Sequence, residues 1–445
     1  MHREPPVGAP PGCDPSSPPQ TSTPCIADAF GIFVDPTGGD DMQPGTKAAP
    51  AKTLTGALGK LGGRRRVYVC DGVLDEHVKM TASADLYGGF ACQTWAYTGT
   101  KSRVAPHDVG YALDVENIAD PMIIADLSFT AIDGTDASPS SVAALVKASP
   151  MLTLRRVSLE AKSGFSRPTG ATGAMGTTVA GSPGLPCTCS NGGTSKGGSG
   201  GPKGAIGAPS NPGGTGAPAQ AVPTPAGADG AGVAAGSVGD RGSDAIGVAT
   251  VGKGADHPYD LVGDDLVAAP GGDGGEGFVA QGGGGSASTV GFSAAVQSLP
   301  GRGGGCGGCG GHKGLGGLGG GASIALLAFD APVQLDTCAL TSGNGGHGGD
   351  GGGGGGGGPG GSGAAADPSQ SSSKAGGGGG TGGTGGSGGG GAGGATAGVV
   401  FRGAVIMVPP TTTVTTGAFG TKGTGGTPGS NNGVDGPKLD VIMLP

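Results

Sequence analysis

Four stretches of this chain follow one pattern: an apolar run, a break of small residues or proline, a second alternating run, and a closing glycine. They are ALDVENIADPMIIADLSFTAIDG from Ala112, ALVKASPMLTLRRVSLEAKSG from Ala144, IALLAFDAPVQLDTCALTSGNG from Ile324 and AGVVFRGAVIMVPPTTTVTTGAFG from Ala397. A repeat in the low twenties of residues is the length of one coil of a parallel β-solenoid, a unit that cannot bury its apolar side until neighbours stack on it. The apolar islands, such as Ile32–Val34, Val67–Val69 and Val399–Val408, are short and β-branched, which suits strands better than helices.

Glycine interrupts the repeats. With 108 glycines among 445 residues and 13% charged residues, much of the chain cannot be ordinary packed core. Residues 1–30 read as a disordered Pro/Ser-rich leader. Residues 31–164 read as the first coils, with Thr53 as N-cap of a short capping helix over Leu54, Ala57, Leu58 and Leu61, and with Gly88–Gly89 as a corner or bulge. A Gly-rich insertion spans 165–320, a coil 321–343, a second insertion 344–396, and the last coils 397–445. Insertions at one corner leave stacked strands intact, and loop closure costs only about 0.6 kcal/mol per doubling of length. The glycine tracts are expected to be flexible loops. The alternative is packed polyglycine-II helices, since a three-residue spacing runs through TGGTGGSGGGGAGG from Thr381 and NGGHGGDGG from Asn344.

A net charge of −8 and no basic cluster beyond Arg64–Arg66 speak against nucleic acid as a partner. One Trp, five Tyr and ten Phe leave few stacking platforms, and no window approaches the ~18 apolar residues of a membrane span. The first 30 residues hold no apolar signal stretch, and Pro10 breaks any lipobox before Cys13, so an exported chain is expected without its signal segment. Of nine cysteines, Cys13 with Cys25 and Cys70 with Cys92 would close short loops. Cys187 and Cys189 stand near one end of the long insertion and Cys306 and Cys309 near the other, where two cross-bridges would pin its base. Spacing alone leaves the connectivity open. Cys338 is the odd one, read as a small buried hydrophobe.

The segments FVDPTGGDDMQPGTKAAPAKTL, VYVCDGVLDEHV and LYGGFACQTWAYTG resemble the N-terminal coils of bacterial right-handed parallel β-helix surface proteins. The Gly-rich inserts resemble Gly-rich PGRS family proteins of the myxobacterial type. The resemblance covers roughly residues 31–164 and returns in GGGASIALLAFDAPVQLDTCALTSGNGG. The fold class expected is thus all-β, a short right-handed parallel β-helix with a capping helix and Gly-rich insertions. The resemblance implies secretion and an outer cell-surface or extracellular location; the scaffold itself is unspecific for function.

Chemistry is sparse. Cys306, Cys309 and His312 have the spacing of a zinc element, although disulfides are the stronger reading of the cysteines. Asp273, Glu276 and Asp350 lie in glycine runs that lack the aliphatic position of a calcium β-roll motif. No cofactor is expected, with zinc and calcium the two metals left open. Asp35, Asp40 and Asp41 read as turn residues. A polysaccharide lyase or hydrolase would need carboxylates or basic groups of Asp114, Glu116, Asp126, Arg155, Arg156 and Glu160 on one face. No catalytic residue is assigned. The expected function is a non-enzymatic structural or adhesive surface or extracellular-matrix protein, with surface polysaccharide or other cell-surface proteins as partners. The alternative is a polysaccharide-active enzyme with a groove along the β-helix. Thr411 in TTTVTTG offers a short threonine array for binding an ordered surface.

Overall fold

The computed structural model describes residues 9–80, 82–179, 183–190, 194–197, 214–215, 231–232, 238–247, 249–286, 300–370, 373–427 and 430–445. Among these, strands dominate: the only helical elements are Leu54–Leu58 and a 3-10 turn at Thr23–Cys25. Three six-stranded sheets, parallel throughout, account for the regular core. The first runs Gly31–Val34, Arg66–Cys70, Asp85–Phe90, Met122–Ala125, Leu152–Arg155, Val333–Asp336; the second Val78–Met80, Leu113–Glu116, Ser141–Lys147, Ser323–Phe329, Thr396–Arg402, Lys438–Met443; the third Val73–Leu74, Ser102–Val104, Leu127–Thr130, Ser158–Glu160, Ala339–Ser342, Thr413–Thr416.

From Leu113 to Ser342 the chain visits the second, first and third sheets in turn, and each pass pairs with the one before; the pass from Thr396 adds strands to the second and third sheets only. Ser141–Lys147, Leu152–Arg155 and Ser158–Glu160 pair with Ser323–Phe329, Val333–Asp336 and Ala339–Thr341, although some 160 residues intervene in sequence. The register stacks like on like. Ile32, Val67, Leu86, Ile124, Leu154 and Leu335 form one column, Leu74, Val104, Phe129, Leu159, Leu340 and Val414 another. These columns meet in the principal core, so each strand's inward side chains bury against the next pass.

The corners are as regular as the strands. Asp126, Arg156 and Thr337 follow successive strands of the first sheet, and each adopts a positive φ of 52° to 57°. Asn117, Ala148 and Asp330 follow strands of the second sheet and are left-handed too, with φ of 43° to 54°. The amides of Asn117, Asp126, Ala148, Arg156 and Asp330 donate to the next pass, as Asp126 does to the Arg155 carbonyl and Arg156 to that of Asp336. A single left-handed residue therefore turns the chain without breaking the ladder.

Every insertion leaves from the third corner, between a third-sheet strand and the following second-sheet strand: 131–140, 161–322, 343–395 and 417–437. The described parts of the glycine tracts are ordered there, against the flexible-loop expectation. Amides of Gly305, Gly308, Gly311, Gly314, Gly317 and Gly320 donate in steps of three to carbonyls of Gly377, Gly380, Gly383, Gly386, Gly389 and Ala392. Gly346, Gly349, Gly352, Gly355 and Gly358 bond back to Gly321, Leu318, Leu315, His312 and Cys309 in the opposite sense. This is the three-residue period of polyglycine-II, whose backbone groups point sideways and satisfy one another only when helices pack together. The segment 386–394 is surrounded by 272–275, 302–321, 345–352, 417–426, 431–437 and 250–255. Such contact leaves no room for side chains: a Cβ on Gly311 would overlap the Gly355 carbonyl, and one on Gly382 that of Cys309. Thr381 and Thr384 break the run where the neighbours 417–426 no longer reach, and both are exposed.

Residues 9–30, expected to be disordered, pack on the outer side of the first sheet. Phe33, Tyr68 and Tyr87 form a cross-strand column there, joined by Phe90 and Trp95, and exposing it would cost more than ordering the leader. Arg66 lies between the Phe30 and Tyr87 rings and donates to the carbonyls of Pro15 and Ser17 at 2.8 Å. The Tyr68 hydroxyl donates to the Cys25 carbonyl, and burial pushes its pKa up to about 12. The cap forms as read: Thr53 accepts from the Gly56 amide, and Leu54, Ala57 and Leu58 are buried. Gly89 takes a positive φ beside the register shift at Tyr68/Cys70.

Candidate functional site

The residues considered for catalysis fall into separate groups rather than one. Asp114 and Glu116 project from the second sheet, both to Lys79 at 2.9 and 3.2 Å. Arg155 projects from the first sheet to Asp336 at 2.8 Å. Asp126 and Arg156 sit at the corner between first and third sheets and pair with each other. Glu160 alone stands on the outer face of the third sheet, paired with Lys162, which holds its carboxyl below the usual range. Alternation along each strand separates these groups, because neighbours two apart share a face but successive strands belong to different sheets.

The cysteines pair as Cys13–Cys25, Cys70–Cys92, Cys187–Cys306 and Cys189–Cys309. This corrects the zinc reading of Cys306, Cys309 and His312: both thiols are consumed in bonds to the strand Pro186–Cys189, and a disulfide sulfur carries no thiolate to ligate a metal. His312 meets Ser190 Oγ at 3.0 Å and Glu276 at 3.5 Å. Asp273 takes Lys313 Nζ at 2.7 Å and the Gly316 amide at 2.9 Å, and Asp350 accepts from the Thr424 amide and hydroxyl. Among the described residues the one group with metal-like spacing is Asp35, Cys70 and Cys92, whose two sulfurs are bonded to each other. Asp35, Asp40 and Asp41 accept backbone amides, as turn residues do. Cys338 is free and buried.

The outer face of the third sheet is the exception to this pattern of internally satisfied groups. Register places Arg103, Ser128, Ser158, Ala339 and Thr413 in one outward column, and Thr130, Glu160, Thr341 and Thr415 in the next. Lys101 immediately precedes the strand Ser102–Val104 and reaches the side of Arg103, since Ser102 between them is buried and donates to the Cys70 carbonyl. Lys101 reaches Ser158 Oγ at 2.7 Å, and burial lowers its pKa. Arg103 donates through Nε to Thr130 Oγ1 at 3.3 Å. Among the described residues neither cation has a carboxylate within ion-pair distance, and the terminal guanidinium nitrogens of Arg103 meet no acceptor. A recess of about 210 Å³ adjoins Arg103, bounded by Thr130, Asp133 and Lys162. The strand KSRV carried the signal for this face, two cations flanking one small residue, and sequence reading passed over it. Thr411 precedes strand Thr413–Thr416, and of its array Thr413, Thr415 and Thr416 lie on that strand, with Thr413 and Thr415 facing outward. No helix among the described residues is long and apolar enough to cross a membrane. Comparisons with family models, curated proteins and solved structures give no match to this chain.

Proposed function

We propose that the chain is an exported, non-enzymatic surface or extracellular-matrix protein: a short right-handed parallel β-helix of PGRS-like type that carries a glycine bundle as a rigid, weakly charged slab. The observation that supports this best is the joining of the two parts. Gly321, Gly346, Gly394, Gly420 and Gly436 bond in series at the corner where the strands end, so the bundle continues the β-ladder as one stiff body. Two disulfides, Cys187–Cys306 and Cys189–Cys309, clamp the far part of the first insertion, and bridges of this kind persist in oxidising compartments. Adhesive partners at the cell surface, polysaccharide or protein, fit that placement. The enzymatic alternative draws little from Asp114 and Glu116, which share Lys79 on the second sheet, because Asp126 with Arg156, Arg155 and Glu160 stand on other faces.

The test is protease shaving of intact producing cells, with thiol alkylation before lysis. Peptides released from the surface and eight alkylation-resistant cysteines are expected. A protein protected in intact cells, with its cysteines alkylated, would sink the proposal.

A further inference from the structure

We propose that the outer face of the third sheet binds an acidic, carboxylate-bearing polysaccharide, with Lys101 and Arg103 as its anchors. This rests on the reading of the chain as a surface protein and names the partner class.

Charge bookkeeping points to these two residues. The chain carries a net charge of −8, and most outward cations around the sheets are matched: Lys79 by Asp114 and Glu116, Arg155 by Asp336, Arg156 by Asp126, Lys147 by Asp264, Lys162 by Glu160; Lys438 stands unmatched on the second sheet, but with Asp440 and no second cation on its strand. Lys101 and Arg103 are not matched either. With Nε held by Thr130, the Arg103 fork is oriented and its terminal N–H groups are free to take a carboxylate through two parallel bonds. The Lys101 ammonium is partly desolvated beside Ser158, a state that an arriving anion relieves. Beyond them Ser128, Ser158, Thr341, Thr413 and Thr415 offer hydroxyls on strands spaced about 4.8 Å apart, interrupted by Ala339 and by Glu160, whose charge Lys162 offsets, and these suit the hydroxyls of a sugar chain lying across the strands. The recess of about 210 Å³ beside Arg103 is smaller than the ~300 Å³ at which pockets for whole ligands begin, so it suits one ring of a longer polymer. Nucleic acid is disfavoured: non-specific binding depends on neutralising many phosphates, and two free cations on an acidic chain do not supply that.

The full chain, with its disulfides formed, is titrated with polygalacturonate and with its methyl ester by isothermal calorimetry and affinity electrophoresis. Expected is binding of the acid form only, weakened by salt, and at least tenfold weaker in the double variant Lys101→Gln, Arg103→Gln. The variant Lys422→Gln, Lys438→Gln, which removes two cations elsewhere, should bind as wild type. The proposal is overturned if the acid form does not bind, if the ester binds equally, if the Lys101/Arg103 variant with an unchanged melting profile binds as wild type, or if polyuridylate competes equally. Surface placement is scored by shaving without any ligand, so failure of binding leaves that reading standing, and failure of shaving identifies the other.

Discussion

Asp126 and Arg156 occupy equivalent corners on successive passes, and both Asp126 oxygens accept from the Arg156 guanidinium at 2.7 Å. Gln20 from the N-terminal segment donates to the same carboxylate at 2.9 Å, so one buried acid ties two passes and the leader together. Its backbone is left-handed, which asparagine tolerates better than alanine.

Asp126→Ala is therefore expected to lower unfolding stability by about 2–4 kcal/mol, as loss of one partner of a largely buried pair does. Asp126→Asn should cost clearly less, since it keeps the corner and one acceptor. Chemical denaturation followed by Trp95 fluorescence reads both; equal losses would refute the account of the corner.

The run Gly351–Gly358 looks uniform in sequence but is not uniform in space. Gly355→Ala and Gly357→Ala put a methyl onto the carbonyls of Ala174 and Gly382, whereas Gly356 faces open space. The first two should destabilise by at least about 1–3 kcal/mol. Gly356→Ala should be neutral or stabilise by about 0.4–1 kcal/mol through the unfolded chain. Calorimetric melting of the three variants gives the ranking.

Cys187–Cys306 and Cys189–Cys309 lie side by side, 119 and 120 residues apart in sequence. Either bridge closes the long loop, and the second then closes almost nothing. Replacing one pair by serine should cost little, while replacing both should cost about 4–5 kcal/mol by the loop-entropy relation. Limited proteolysis of the insertion, single against double, measures this non-additivity.

Asp41 binds the Lys52 and Thr53 amides and the Thr53 hydroxyl at the start of the capping helix. Burial works to raise its pKa, but these bonds outweigh it and hold the group below its ordinary 3.8. Its contribution is thus present in full above that ordinary value and fades as pH falls through the lowered native one. Asp41→Asn should lose about 1 kcal/mol at pH 7 and show a shallower acid decline. Denaturation midpoints at pH 7 and pH 3 check the sign.

Apolar alternation was enough to locate the strands, because Leu154 opposite Leu335 and Leu159 opposite Leu340 need only match in kind to stack. The helix cap was equally plain, since Thr53 and its apolar partners are local. Three things were not readable. Glycine order depends on neighbours distant in sequence: Gly311 is fixed by Gly355 and Gly383, and nothing near it says so. The leader follows from Arg66 and Tyr68, whose outward faces look unremarkable until Phe33 and Tyr87 align with them. Arg103 matters because it makes no direct ion pair, Glu160 reaching it only through Thr130, and a missing contact leaves no mark in sequence.

Placing every insertion at the same corner has an arithmetical consequence. A tract that leaves the strands there must return there, so among the described residues the two C-terminal excursions contribute glycine helices in out-and-back couples, 345–364 with 375–394 and 417–426 with 431–437. The bundle can thus grow or shrink only by even numbers, and a deletion of one helix would strand the chain at the distal end. Parity, more than length, sets which truncations of the glycine tracts this protein can survive.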